Sequence, residues 1–338
     1  MPVATQVLVK KLAAIATLCA TASLLGCAQS PPAGPVSVDG SSTVFPITEA
    51  IAKAYNQAQG DQVKVVAATS GTGGGFKKFC AGETDINDAS RPINQEEMKL
   101  CDQAGVRYVE LPIAFDALTV VVNPKNTWAE DITVAELKTM WEPAAQAKIT
   151  NWQQVRSSWP KQPLRLFGPG KDSGTFDYFT EVIVGGDGSR TDYVASEDDN
   201  TLVQGVGQDP NALGYFGFAY YEAQGAKLKA VAIDGGKGPV LPSRATVEKA
   251  QYQPLARPLF IYVNAKAAQD KPQVQSYVEF YLKNAPQVVS TVGYIPLSED
   301  GYRLATIHFE RGKVGTVFGG QPQPDLTLAE LLRKQATF

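Results

Sequence analysis

Two apolar, β-rich runs far apart in the chain constrain its architecture most. Leu111–Val122 (LPIAFDALTVVV) ends at Asn123-Pro124, and Pro258–Val263 (PLFIYV) follows far downstream. Runs of this length and composition read as buried strands. Before the first run, Val36–Val38 reads as a strand, Ile47–Gln59 as a helix with Ile47, Ile51 and Tyr55 on one face, Val63–Ala67 as a strand, and Phe76–Cys80 as the start of another helix. Between the runs, Val134–Met140 and Phe176–Val184 read as helices, Leu164–Phe167 and Leu228–Ile233 as strands. Strands alternating with helices predict an α/β fold with a mainly parallel sheet. Long extended runs flanking such a segment predict a chain that builds most of one lobe, crosses to a second and crosses back. Double crossings of this kind make a hinge with a ligand cleft between the lobes. The expected division is 36–123 with 259–338 as lobe one and 124–258 as lobe two.

The start of the chain reads as an address. Lys10 and Lys11 precede an apolar run from Leu12 to Leu25, followed by Gly26 and Cys27. A basic stretch, an apolar run and small residues at its end describe a secretory signal over 1–26. The run is shorter than the ~20 residues a membrane-spanning helix needs. Leu24-Leu25-Gly26-Cys27 also resembles a bacterial lipobox, which would make Cys27 the lipid-bearing first residue; the alternative is an ordinary signal with Cys27 incidental. Residues 27–35 then form a short Pro-containing tether. This address places the mature protein outside the cytoplasm, lipid-anchored and facing the periplasm or cell exterior, or soluble in the periplasm if Cys27 carries no lipid. Cys19 leaves with the signal, so Cys80 and Cys101 remain. In an oxidising compartment they read as a disulfide, two buried thiols being the alternative.

Charge and residue usage exclude several classes of function. The chain carries 31 Lys plus Arg against 34 Asp plus Glu, a formal charge of −3 that the loss of two signal lysines makes more negative. No basic nucleic-acid surface is indicated. The single histidine, His308, rules out a His-rich metal site and argues against a His-based triad. No phosphate-cradling P-loop, dinucleotide fingerprint or nucleophile elbow occurs. His308 is expected on a helical surface segment, and the acidic pairs Glu96-Glu97 and Asp198-Asp199 are expected to be solvated. Trp141, Trp152 and Trp159 are expected to pack in the core or between lobes.

Three loops carry the chemistry. Asp39-Gly40-Ser41-Ser42-Thr43-Val44-Phe45-Pro46 leads from a strand into the helix at Ile47. Thr69-Ser70-Gly71-Thr72-Gly73-Gly74-Gly75 leads into the helix at Phe76, and Gly168-Pro169-Gly170-Lys171-Asp172-Ser173-Gly174-Thr175 into the helix at Phe176. The first amides of a helix lack intrahelical partners and carry partial positive charge. Glycines admit close backbone approach, and Ser or Thr hydroxyls add donors. Taken singly, each loop is better explained by N-capping than by a ligand site. Together, at the carboxyl ends of strands in an open α/β sheet, they stand where ligands bind. Three such termini could hold a tetrahedral oxyanion through local dipoles in a chain that is acidic overall.

At these residues the chain resembles the phosphate-binding proteins that deliver inorganic phosphate to ABC-type importers. The resemblance runs from Val36 to about Phe318 and rests on Gly40-Ser41-Ser42-Thr43-Val44-Phe45-Pro46, Ser70-Gly71-Thr72-Gly73-Gly74, Ala89-Ser90-Arg91-Pro92, Asp172-Ser173-Gly174-Thr175 and Gly214-Tyr215-Phe216-Gly217. It implies a two-lobed periplasmic-binding-protein fold closing on one dehydrated phosphate, with no cofactor, no metal and no catalysis. It also implies permease subunits of an importer as partners, and a monomer. Carried over residue by residue, it implies phosphate contacts from Ser42, Thr43 and Val44, from Ser70 or Thr72, and from Ser173, Gly174 and Thr175. Two positions depart. Many family members place an Asp after Ala-Ser in the third block, accepting the proton of HPO₄²⁻ and thereby rejecting sulfate; this chain has Arg91. Those members also have an Arg four residues before the Ser of Ser-Gly-Thr; this chain has Pro169. Arg91 is therefore the candidate cation of the site, a surface or inter-lobe ion pair being its other reading. The proton acceptor would then be Asp172, Asp199 or a backbone carbonyl. Other readings are a phosphate sensor for a signalling partner, a binder of sulfate or arsenate, and a secreted phosphatase, the last disfavoured by the lone histidine.

Overall fold

In the computed structural model, which describes residues 34–60, 63–171, 173–186, 188–196, 198–321, 323 and 327–334, the two apolar runs become neighbouring strands. Among the described residues twelve strands form: β1 (Val36–Gly40), β2 (Val65–Ala67), β3 (Ile86–Ala89), β4 (Tyr108–Val122), β5 (Asp131–Thr133), β6 (Arg165–Gly168), β7 (Val194–Ala195), β8 (Ala212–Gly217), β9 (Lys229–Ala230), β10 (Ala232–Asp234), β11 (Pro239–Val240) and β12 (Ala256–Asn264). The helices are α1 (Phe45–Gln59), α2 (Thr72–Cys80), α3 (Gln95–Gln103), α4 (Val134–Trp141), α5 (Gly174–Phe179), α6 (Asp199–Gln208), α7 (Phe218–Gln224), α8 (Arg244–Glu248), α9 (Ala265–Asp270), α10 (Pro272–Thr291), α11 (Glu299–Glu310) and α12 (Leu328–Leu332).

Every residue of β4 is buried. A strand covered on both faces requires a continuous apolar run, and its sequence supplies one, interrupted only by Glu110 and Asp116 among charged residues. The main sheet runs β2-β1-β3-β12-β4-β8-β6-β7, with β9 also on β4. Its two wings are parallel, but β12 is antiparallel to both β3 and β4, and β4 to β8. The sheet is therefore mixed where a mainly parallel one was expected. The reason is the double crossing itself: a chain that leaves along β4 and returns along β12 must lay those strands in opposite directions.

β4 changes partner within its own length. Tyr108–Ala117 pair with β12, and Leu118–Val122 pair with β8. β4 thus serves both wings of the sheet, and β12 pairs with it from Ala256 onward. The stretch expected as one strand over Leu228–Ile233 splits between β9, on the main sheet, and β10, which pairs with β5 and β11 in a separate three-stranded sheet.

Helices cover both faces with aromatic contacts. Tyr55 of α1 meets Tyr277 and Phe280 of α10 edge-on at 5.3 and 5.2 Å. Trp141, Trp152 and Trp159 are all buried, Trp141 packing against Phe179, Tyr193 and Tyr215. Cys80 at the end of α2 is bonded to Cys101 in α3, with Cα atoms 4.4 Å apart. His308 lies on a helix as expected, but that helix, α11, turns it inward: it is 7% exposed and its Nε2 bonds the Leu332 carbonyl of α12 at 2.8 Å. The signal segment, Cys27 and Asp172 lie outside the described residues. No helix among the described residues is long and apolar enough to cross a membrane.

Candidate functional site

The first loop is built on Asp39, the last side chain before the β1 terminus. Its buried carboxylate accepts from the Gly40 amide and the Ser70 hydroxyl, both at 2.7 Å, and pairs with Lys78 of α2. Burial works against this charge, but Lys78, Ser70 and the Gly40 amide outweigh it and hold Asp39 below its ordinary value. The Ser41 amide donates to the Asp88 carbonyl at 2.9 Å, and Ser41 Oγ accepts from the Thr43 amide at 3.2 Å. Among the described residues the Ser42 and Val44 amides, just before α1, donate to no acceptor. The second loop differs from its expected form, because Thr72–Gly75 already belong to the first turn of α2. The glycines serve packing there: a Cβ on Gly75 would stand 2.0 Å from Asn87 Oδ1 and 2.6 Å from the Gly40 Cα. Only glycine lets α2 lie this close to the first loop.

The third loop comes from the other wing and meets the first. Ser173 caps α5, its hydroxyl oxygen accepting from the Thr175 amide at 3.2 Å. A Cβ on Gly174 would lie 2.6 Å from Thr43 Oγ1. Thr43 of the first loop is thus brought against Gly174 of the third. Thr72 is joined to the Ala89-Ser90-Arg91-Pro92 block: its Oγ1 accepts from the Ser90 amide at 3.2 Å and lies 3.1 Å from Ser90 Oγ. Ser70 is turned inward, its hydroxyl proton committed to Asp39.

Both arginines near the loops have carboxylate partners. Arg91 makes a two-pronged pair with Glu97, Nη1 to Oε2 at 2.8 Å and Nη2 to Oε1 at 2.7 Å, and Nη1 also donates to the Pro92 carbonyl at 3.2 Å. Glu97 raises the Arg91 pKa against the opposing effect of burial. Glu97 is therefore not solvated as expected. It is 6% exposed, bound to Arg91 and, through a reciprocal cap with Asn94, to the start of α3. The second arginine, Arg257, was not singled out from the sequence. It faces Asp116 across the β12–β4 ladder, Nε to Oδ2 at 3.3 Å, with Nη2 3.4 Å from Thr43 Oγ1. Its guanidinium carbon stands 3.6 Å from the centre of the Tyr178 ring. Burial pushes Asp116 up despite Arg257. A sequence signal existed: Asp116 and Arg257 are charges inside or flanking the two apolar runs, and a charge inside a buried strand requires a partner.

A cavity of about 240 Å³ opens beside this cluster, with Ser90, Arg91, Tyr178, Glu181 and Arg257 in its wall. The site therefore combines helix-start amides, hydroxyls free to donate and two guanidiniums, an arrangement suited to a compact oxyanion. Among the described residues no group of three or more His, Cys, Asp or Glu side chains is placed to hold a metal.

Known proteins resemble this chain over most of its length. Residues 26–285 match the PBP superfamily domain. The chain is 60% identical to Protein SphX of Synechocystis sp. over 313 residues, covering 92% of this chain and 93% of the relative. It is 36% identical to the Phosphate-binding protein PstS of Staphylococcus saprophyticus over 272 residues, 80% and 82% of the two chains. Among solved structures, a possible phosphate binding protein from Planctomyces limnophilus superposes with a TM-score of 0.78 at 45% identity, over 82% of this chain and 98% of that one.

Proposed function

This chain belongs to the PBP superfamily, in the group that holds SphX and the PstS proteins, and on that premise we propose that it binds inorganic phosphate outside the cytoplasm and delivers it to an ABC-type importer. The observation that carries this reading is the meeting of the Ser42–Val44 loop with Ser173–Thr175 from the opposite wing, Gly174 lying directly against Thr43. Unpaired amides at the Ser42–Val44 loop and the start of α2 would replace the water around a dehydrated anion, with the hydroxyls of Thr43, Thr72 and Ser173 as further donors. Arg91 would add charge from the Nε and Nη2 hydrogens that Glu97 leaves unspent. Ser70 would act behind this layer, ordering the first loop through Asp39.

The lobes in this reading are 36–123 with 259–338, and 124–258, hinged where β4 and β12 cross. The protein would act as a monomer, bind without turning its ligand over, and be held to the membrane by a lipid on Cys27, with permease subunits as partners. Calorimetric titration of ligand-stripped protein, first with phosphate and then with sulfate near neutral pH, tests the proposal. One-to-one phosphate binding is expected; a folded sample that takes up neither anion overturns it. Equal binding of sulfate would mean that Arg91, in place of the family's Asp, has removed the proton test.

A further inference from the structure

We infer that Arg257 is the cation that grips the bound anion and holds the two lobes closed around it, an assignment that rests on the anion-binding reading above. Its position is the first reason. Arg257 sits on one crossing strand directly opposite Asp116 on the other, one residue pair before β4 leaves β12 for β8. The side chain therefore stands at the pivot, and from there it touches Thr43 in the first loop, Tyr178 of α5 and Glu181 just beyond that helix.

The second reason is how its hydrogens are used. Arg91 is satisfied at 2.7 and 2.8 Å by Glu97. Arg257 has only long contacts, 3.3 Å to Asp116, 3.4 Å to Thr43 and 3.8 Å to Glu181, although its side chain is just 13% exposed. A nearly dehydrated guanidinium with weakly engaged donors gains more from an incoming oxyanion than one already forked onto a carboxylate. Its orientation is fixed in advance by stacking on Tyr178, whose hydroxyl is anchored to the Pro254 carbonyl at 2.6 Å. The other charged and titratable groups facing it are Asp116 on β4, Asp177 and Tyr178 on α5, Glu181, and Tyr294 from the segment that pairs with Phe115. Asp116, Asp177 and Glu181 are carboxylates, while burial raises both phenols and keeps them neutral, so Arg257 is the counter-charge of the three carboxylates. Without it, an anion in the cleft would face these carboxylates uncompensated.

The test compares full-length wild type with Arg257→Gln and Arg257→Lys, each titrated calorimetrically with inorganic phosphate at about pH 6 and about pH 8, on either side of the second phosphate ionisation. Small-angle scattering with and without phosphate reads lobe closure in the same samples. The expected result for Arg257→Gln is at least about tenfold weaker binding, a larger loss at the higher pH where the ligand carries its second charge, and no compaction on adding phosphate. Arg257→Lys, which keeps the charge and loses the fork, should recover part of the affinity and of the compaction. Folded Arg257→Gln that binds and compacts like wild type overturns the inference. If the Gln variant does not fold, unchanged affinity and closure in Arg257→Lys overturn it. Wild type that fails to bind phosphate removes the anion reading itself, an outcome distinct from wild type and variants binding alike.

Discussion

Gly174→Ala tests the claim that the first and third loops close on each other. A Cβ at this position would stand 2.6 Å from Thr43 Oγ1, 3.3 Å from Thr43 Cα and 3.4 Å from Thr43 Cβ. Ordinary contact to a Cβ begins near 3.4 Å, so the hydroxyl must retreat by about 0.8 Å or the loops must part. Thr43 cannot turn away at no cost, because its β-branched side chain has few rotamers and its oxygen is the one Arg257 approaches. Overpacking of this kind costs about 1–3 kcal/mol. That cost falls on the closed form alone, so apparent phosphate affinity should weaken by about 5- to 150-fold. The open form gains, if anything, since Ala is favoured over Gly within a helix by about 0.5–1 kcal/mol. The predicted signature is therefore weaker phosphate binding in calorimetry, a reduced ligand-induced compaction in scattering, and an unfolding temperature equal to or above wild type. Unchanged affinity with unchanged stability would show that the two loops do not approach in the bound state, and the reasoning would fail.

Three further outcomes follow from the packing. Glu97→Gln keeps the capping geometry at α3 but strips Arg91 of its counter-charge; because Arg91 is about one-third exposed, the loss should be modest, about 1–2 kcal/mol in urea denaturation. Replacing Cys80 and Cys101 together with Ala should cost about 3 kcal/mol, and reductant, which destabilises the wild type, should leave the melting curve of the variant unmoved. Asp88 is buried, and burial, only partly offset by the Thr48 hydroxyl, pushes its carboxyl up to about 8. The folded state thus holds this proton more tightly than the unfolded one, so Asp88 makes stability fall as pH rises from about 4 to about 8. Asp88→Asn should flatten that slope in chemical denaturation, and an unaltered slope would remove Asp88 as its source.

Much of the architecture was legible because it follows from local rules. The two apolar runs at Leu111–Val122 and Pro258–Val263 read as extended strands, and their separation in the chain implied a double crossing. The loops opening α1 and α5 were legible from Ser, Thr and Gly beside a change from strand to helix periodicity. What those rules could not supply was partnership across the sheet. Glu97 read as one of two solvated acids until Arg91 was seen to close on it. His308 read as a surface residue because α12, which covers it, is placed by tertiary packing. Asp116 and Arg257 lie far apart in the chain, and only the antiparallel register of β4 and β12 makes them a pair.

Local amino-acid pattern, then, determines which segments become strands, helices and donor-rich loops, because backbone geometry and hydrophobic period act over a few residues. Which charge meets which, and which guanidinium remains underused at the cleft, was decided only when the crossing strands fixed their register, because electrostatic partnership depends on distance and burial in three dimensions and leaves no periodic trace along the chain.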